Sequence, residues 1–194
     1  MSRPNASPRP LRADAQRNRD HLLAVARTAF AADADEVTLE RIAKDAGVGI
    51  GTLYRHFPTR EALVEAVYSA ELDAVVADAD ILLSELPPLA ALREWMNRYA
   101  RFTASKHGML PALRAGWASG RITTPATRER ITGAVGAILA SGVAEGTVRA
   151  DIEADDVVAM LLGVFLSTGG ADDPAQTVRL LDLLVAGVAT RTPR

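Results

Sequence analysis

The side chains best suited to chemistry form a short polar cluster directly after a glycine-rich turn. The turn contains Gly47, Gly49 and Gly51, and the polar residues that follow it are Thr52, Tyr54, Arg55 and His56. Hydroxyl, guanidinium and imidazole groups hydrogen-bond phosphates and the edges of bases. None of these residues has a neighbour at the spacing that a nucleophile or a metal ligand requires, so the cluster favours binding over catalysis.

Other catalytic patterns are also missing. The chain has no cysteine, no phosphate-binding glycine loop with its lysine, no His-Glu-x-x-His pair and no Gly-x-Ser-x-Gly turn. Its three histidines lack a carboxylate or a second histidine at ligand spacing. Four carboxylates between Asp151 and Asp156 are more typical of a helix start than of a cation site. We therefore predict no catalytic residue, no metal and no cofactor.

Two short helices are needed to position the polar cluster. Leu39, Ile42, Ala43 and Ala46 recur at helical spacing, and Thr38 is placed to cap the helix that they predict. Gly47 ends that helix. After the turn, Val48, Leu53 and Phe57 supply inward anchors, which leaves Ile50 and the polar residues on the outer side. Two short helices joined by a tight glycine turn are the helix-turn-helix pattern.

The distribution of charge is consistent with nucleic-acid binding at one end of the molecule. The net charge is only -2, but residues 1 to 30 hold six arginines against two aspartates, so this end carries +4 and the remainder -6. A basic end on an acidic body suits a protein that approaches phosphates with one end only. The alternative is an ordinary solvated arginine-rich tail.

Periodicity along the chain predicts an all-α fold of about nine helices with no strand. We expect a disordered arm over 1–14, a helix-turn-helix domain over 15–60, and a second helical domain over 61–194. No apolar run reaches the length of a membrane span, and the N-terminus lacks the apolar stretch of a signal peptide. A cytoplasmic, nucleoid-associated protein with no membrane contact is therefore expected.

The stretch from Thr38 to Val48, followed by Gly-Thr-Leu-Tyr-Arg-His-Phe-Pro-Thr-Arg-Glu-Ala-Leu from Gly51 to Leu63, resembles the N-terminal domain of the TetR/AcrR (tetracycline-repressor) family of transcription regulators. The resemblance covers residues 15 to 70. It implies a homodimer with two DNA-reading helices, a C-terminal ligand-binding bundle, and repression that a small molecule relieves.

The resemblance also implies roles for individual residues. Phosphate contacts carry over to Thr52, Tyr54, His56 and Arg60, and base-facing positions to Glu40, Gly49, Ile50, Thr52 and Arg55. Lys44 and Gly51 complete the predicted DNA-binding set. Because the first reading positions are Gly49 and Ile50, where the family often has polar residues, readout is expected to depend on Arg55, on Thr52 and on contact of Ile50 with a thymine methyl.

Aromatic and methionine side chains concentrate in two neighbouring segments of the C-terminal half. The candidate pocket residues for a largely apolar effector are Trp95, Met96, Tyr99, Phe102, His107, Met109 and Trp117. Ordinary core packing is the alternative for each of them. Effector binding there is expected to shift the helix that begins at Arg60 and so change the separation of the two reading helices.

Two apolar segments near the C-terminus require partners. Residues 157–166 contain no polar side chain and are expected to be buried on both sides, and a second apolar stripe runs from Val178 to Val188. A four-helix bundle between two subunits would bury both. The predicted interface residues are Val158, Leu161, Leu162, Phe165, Val178, Leu181, Leu184, Val185 and Val188.

The sequence thus predicts a dimeric, ligand-responsive regulator that binds a palindromic operator in double-stranded DNA. Two alternatives remain open. A small helical enzyme acting on an apolar ligand in the C-terminal pocket would need an acid, a base or a metal there. A helical adaptor that does not bind DNA would leave the polar cluster unexplained.

Overall fold

The computed structural model describes residues 9–32, 37–106, 109, 113–114, 116, 118–120, 124–168 and 174–190. Eight helices are formed within them, α1 (Arg9–Ala32), α2 (Leu39–Asp45), α3 (Ile50–His56), α4 (Arg60–Glu85), α5 (Pro88–Ser105), α6 (Thr124–Ala144), α7 (Ala154–Thr168) and α8 (Pro174–Val188). The only β-type pairing among these residues is an isolated bridge between Val148 and Ala189. The all-α prediction is confirmed. Of the predicted helix at 109–120, the structure describes residues 109, 113–114, 116 and 118–120.

The chain divides into two compact units. The first comprises Met1–Ser69 and His107–Ile122, and the second comprises Ala70–Lys106 and Thr123–Arg194. Helix α4 begins in the first unit and ends in the second. No helix of the described residues is both long enough and apolar enough to cross a membrane.

In the first unit, α1 packs against α2, and α2 packs against α3. The spacing of apolar residues explains this arrangement, because Leu22, Ala26 and Phe30 fall on one face of α1 and are buried. Ile42 of α2 and Leu53 of α3 are fully buried as well. The three helices therefore share one small core.

Helix α1 begins at Arg9, so the prediction of a disordered arm reaching residue 14 is wrong for residues 9 to 14. Pro10 does not prevent this start, since the first turn of a helix has no use for the amide hydrogen that proline lacks. Pairs one turn apart support the next turns. Arg17 forms an ion pair with Asp14, and Gln16 Nε2 donates to Asp20 Oδ1 at 2.8 Å.

In the second unit, α5 packs on α6 and α8, and α7 packs between α6 and α8. Within one chain only one side of 157–166 is buried, so its predicted burial on both sides depends on the predicted contact between subunits. Val157, Val158 and Leu161 are buried, but Met160 is 57% exposed and Leu166 is 84% exposed. A helix with no polar side gives no indication in its sequence of which face meets its own core, and here the second face of α7 is left uncovered.

Candidate nucleic-acid interface

Helix α3, which we call the reading helix, is held by two apolar anchors. Leu53 is fully buried and Phe57 is 3% exposed. Gly49 has extended backbone at the start of the helix, and its carbonyl accepts from the amides of Thr52 and Leu53 at 2.8 and 3.3 Å. The amide of Phe57 closes the helix on the carbonyl of Leu53 at 2.8 Å. Burial of one side thus fixes which side remains available.

The outer side of the reading helix carries most of the predicted contact residues. Ile50 is 38% exposed, Tyr54 is 44% exposed and Arg55 is exposed, whereas Thr52 and His56 are half-buried. Ile50 and Tyr54 are one turn apart and therefore neighbours on the surface. A helix of this width fits the major groove of B-DNA, where such side chains can reach base edges.

The three glycines of the turn differ in whether the fold requires glycine at that position. Gly47 has φ of 65°, a left-handed conformation that side chains rarely adopt. Gly49 and Gly51 have ordinary backbone angles, and a Cβ added at either would meet nothing within 4 Å. The protomer itself therefore does not require glycine at these two positions. Their lack of a side chain matters only to something that approaches from outside.

Two basic residues of the predicted DNA-binding set flank the reading helix. Lys44 is exposed in the last turn of α2. Arg60 is the first residue of α4, and its guanidinium carbon lies 5.3 Å from the centroid of the Phe30 ring. Contact with a ring face stabilises a cation and restricts where it can move. Arg60 is therefore held in place by the core of the first unit.

Arg19 is a basic residue of this region to which the sequence analysis gave no role. Its guanidinium carbon lies 5.4 Å from the centroid of the Phe57 ring, at the end of the reading helix. The available signal was its spacing, since Arg19 lies seven residues before Ala26 and therefore on the buried face of α1. The ring contact itself depends on tertiary packing.

The predicted effector residues of the second unit form a buried aromatic cluster. Trp95 stacks on Tyr99 with ring centroids 5.3 Å apart, and Tyr99 lies 5.9 Å from Phe102 and 5.7 Å from Phe165. Met96 is fully buried. Of the remaining predicted pocket residues, Met109 is buried and belongs to the first unit, while His107 and Trp117 lie outside the described residues.

Polar contacts tie this cluster and its helices to α4. Trp95 Nε1 donates to the carbonyl of Val75 at 2.9 Å in a buried position. Two ion pairs add to this contact, one between Arg98 of α5 and Asp78 of α4, the other between Arg130 of α6 and Asp73 of α4. A change in the position of Trp95 would therefore disturb the second half of α4.

Lys106 is a further residue at this cluster that the sequence analysis missed. Its Nζ lies 3.9 Å from the centroid of the Phe102 ring. Burial lowers the pKa of Lys106 to about 8, although the negative charge of Glu71 opposes the shift. At neutral pH Lys106 is therefore mostly a cation, held in apolar surroundings. A lysine four residues after an aromatic residue in a helical pattern was the available signal.

The predicted dimer residues need correction. Val158, Leu161, Leu181, Leu184 and Val188 are at most 5% exposed within the single chain. They belong to the core of the second unit and have almost no surface to offer a partner. The periodic spacing of these apolar residues does identify one side of α7 and of α8, but that side packs inward within the single chain. The half-buried predicted residues are Leu162, Phe165 and Val185, and Val178 is 49% exposed.

An anchored helix-turn-helix with an exposed polar face, followed by a separate helical unit, defines a DNA-binding regulator. Residues 22–67 match the model for bacterial regulatory proteins of the tetR family, and residues 87–190 match the model for the C-terminal domain of SbtR-like transcriptional regulators. The chain belongs to the TetR family of transcriptional regulators.

Solved structures support this assignment. A TetR transcriptional regulator from Streptomyces coelicolor is 43% identical, with 90% of this chain and 99% of that one covered and a TM-score of 0.79. A TetR transcription regulatory protein from Mycobacterium vanbaalenii is 34% identical, with 93% and 100% covered and a TM-score of 0.74. An HTH-type transcriptional regulator from Staphylococcus aureus is 37% identical over 67 residues, and the match spans 34% of this chain and 36% of that protein.

The different roles of the glycines lead to a direct test. We expect Gly47→Ala to lower the free energy of unfolding by about 1–2 kcal/mol, because alanine is strained at positive φ. Gly51→Ala should leave stability unchanged or raise it by up to about 1 kcal/mol, yet weaken binding to an operator duplex. Denaturant unfolding and fluorescence anisotropy measure the two effects.

Gly133→Ala is the matched control for Gly51→Ala. Gly133 lies in α6, and a Cβ added there also meets nothing within 4 Å. This variant should be stabilised and should bind DNA as the wild type does. If Gly51→Ala binds the operator with unchanged affinity, the bare surface of the reading helix has no role in DNA contact.

Proposed function

We propose that this TetR-family regulator is a dimeric repressor that a small, largely apolar effector releases from a palindromic operator. The observation that carries the proposal is the orientation of the reading helix. With Leu53 and Phe57 buried, α3 presents Ile50, Tyr54 and Arg55 outward. An exposed face of this kind on an anchored short helix has no use inside the protomer.

Contacts to DNA divide into two kinds. Arg55 can be bidentate to guanine, Thr52 can hydrogen-bond an edge or a phosphate, and the exposed Ile50 can contact a thymine methyl. Lys44, Tyr54, His56 and Arg60 are then assigned to phosphates, which fix register without reading sequence. Few polar groups face the bases, so each half-site is specified at a small number of positions.

Selection of bound duplexes from a random pool tests this proposal. We expect a palindrome whose half-sites lie about 34–36 Å apart or a multiple of that distance.

Arg55→Ala should then lower the ratio of specific to nonspecific affinity, at a cost of about 1–3 kcal/mol. Lys44→Ala should weaken binding to all duplexes alike and reduce the salt slope by about 1 per protomer. No enriched sequence after repeated selection would contradict specific operator binding.

The dimer is proposed to form through the exposed faces of α7 and α8. The large exposed apolar residues of these helices are Met160, Leu166, Val178 and Leu183, at 57%, 84%, 49% and 67% exposure. The small residues Ala159 and Gly163 lie beside them on α7 and are also exposed. Large exposed apolar side chains concentrated on two neighbouring helices are typical of a protein interface.

Single charges on this surface should separate the subunits. We expect Leu166→Asp and Leu183→Asp each to yield a folded monomer in sedimentation velocity, because an unpaired charge is costly to bury in an interface. Ile81→Asp is the matched control, since Ile81 is 48% exposed on α4 and lies outside the proposed interface. A stable dimer in both α7 and α8 variants would place the interface elsewhere.

The effector is proposed to bind at the aromatic cluster of Trp95, Tyr99 and Phe102. Entry of a ligand would rearrange the stacked rings and disturb the hydrogen bond from Trp95 to Val75 of α4. Because α4 begins directly after the reading helix, with only Phe57, Pro58 and Thr59 between them, movement of α4 would change where that helix is held. Repression would end when the two reading helices no longer match successive grooves.

A screen of apolar fragments tests the coupling. Fragments that raise the unfolding temperature of the wild type, but not of Tyr99→Ala, are taken to bind at the cluster. They should lower operator affinity about 5–150-fold, and the operator should lower fragment affinity by the same factor, because binding linkage is reciprocal. A fragment that meets the binding criterion and leaves operator affinity unchanged would refute the linkage.

A further inference from the structure

Lys106 is the first residue after α5, and it continues the face of that helix on which the aromatic cluster lies. Four side chains repeat along this face at intervals of four, three and four residues, namely Trp95, Tyr99, Phe102 and Lys106. Side chains at such intervals lie above one another on a helix. Lys106 itself keeps helical backbone angles, with φ of -71° and ψ of -22°. The line of rings on α5 therefore ends in an ammonium group.

The ammonium group of Lys106 lies in surroundings that solvate a cation poorly. Its Nζ is 3.9 Å from the centroid of the Phe102 ring, and Phe102 is only 4% exposed. Transfer of a cation out of water is costly, and contact with a ring face recovers part of that cost. Because the pKa of Lys106 is lowered by burial to about 8, against the opposing charge of Glu71, the cost is not fully offset. A further negative charge at Nζ would therefore be favourable.

Two arginines near the cluster already have their charges compensated. Arg98 of α5 pairs with Asp78 of α4. Arg128 of α6, whose charge interacts with the phenol of the cluster, donates to both carboxylate oxygens of Asp155 at 2.8 and 2.7 Å. These hydrogen bonds raise the pKa of each arginine, whereas the pKa of Lys106 is lowered. Lys106 is thus the better suited of the three cations to take an added anion.

Lys106 also acts on α4. Glu71, whose charge interacts with Lys106, lies in the part of α4 that belongs to the second unit. An anion at Nζ would share Lys106 with Glu71 and so weaken the attraction between the end of α5 and α4. This effect would add to any disturbance of the hydrogen bond from Trp95 to Val75.

We propose that the effector is an amphipathic organic acid, whose carboxylate binds Lys106 and whose apolar body lies among the rings of Phe102 and Tyr99. Seven residues separate Tyr99 from Lys106, which is about 10 Å along the helix axis. A medium-chain fatty acid or a phenylalkanoate has a body of this length. This inference rests on the proposed binding of an effector at the aromatic cluster. It adds the charge of the ligand and the residue that recognises that charge.

Matched pairs of a carboxylate and its primary amide test the proposal with the full chain. Octanoate and octanamide, like phenylbutyrate and phenylbutyramide, differ in charge but hardly in size. In calorimetry the wild type should bind each acid about tenfold more tightly than its amide, because hydrogen bonds between charged groups are stronger than those of neutral groups. Lys106→Met keeps the length of the side chain without its charge and should abolish this preference.

Two variants control for charge and for position. Lys106→Arg keeps a cation at the cluster and should retain the preference for the acid. Arg101→Gln removes a charge from the outer side of α5, where the Arg101 side chain is 69% exposed, and should also retain it. Lys106→Met should unfold at the wild-type temperature or above and keep its affinity for the amides, since it removes a cation from apolar surroundings. A lost preference would then not reflect misfolding.

Glu71→Gln tests the link to α4. Because it removes the carboxylate that competes for Lys106, it should raise affinity for the acids and leave affinity for the amides unchanged. Asp80→Asn, a neutralisation at another exposed position of α4, should change neither. In the wild type, saturating acid should lower operator affinity by a larger factor than saturating amide. An equal effect of acid and amide on operator affinity would contradict the link from Lys106 to α4.

The outcomes separate this inference from the proposed function. If the wild type binds acid and amide equally, or if Lys106→Met keeps the preference, Lys106 does not recognise the carboxylate and the inference is overturned. The proposed function stands in that case if the amides still lower operator affinity. If no acid, amide or other apolar fragment binds at the cluster, the proposed effector site is itself refuted, and this inference with it.

Discussion

Burial of Leu53 and Phe57 is the constraint on which the DNA-binding surface depends. The reading helix has seven residues, and isolated helices shorter than about 12–15 residues are marginal in water. It exists because its two anchors are buried among the helices of the first unit. The same burial fixes the rotation of the helix, so the exposed face is determined by the core and not by the residues that contact DNA.

Because the core alone holds the reading helix in place, the exposed face of that helix can carry few side chains. The fold does not need Gly49 or Gly51, since a Cβ at either meets open space, whereas Gly47 is needed for its positive φ. A helix without side chains at its tip can approach DNA closely, but it reads few bases. In the proposed complex, affinity would then come largely from phosphates, contacted by cations such as Arg60, which lies against the ring of Phe30.

The helix-turn-helix of the first unit could be predicted closely, because apolar period, a capping threonine and a glycine turn agree there. Thr38 Oγ1 does accept from the amide of Arg41, at 3.2 Å. The second unit was predicted less well for a physical reason. Helices α7 and α8 are apolar on more than one side, and period alone cannot tell which side meets the protomer's own core. The spacing of Arg19 places it on the buried face of α1, but its contact with Phe57 depends on tertiary packing that the local sequence does not indicate.

Selectivity in the proposed dimer depends on how the two reading helices are arranged, because each of them contacts few bases. If each half-site is specified at few positions, a single reading helix distinguishes operators weakly, and tethering two of them at a fixed separation multiplies their effect. In the proposed dimer that separation is set by the uncovered faces of α7 and α8 and transmitted through α4. On the proposed mechanism, an effector would not need to break a contact with DNA. A small displacement of α4 at the aromatic cluster would be enough, because it would change the separation of the two reading helices.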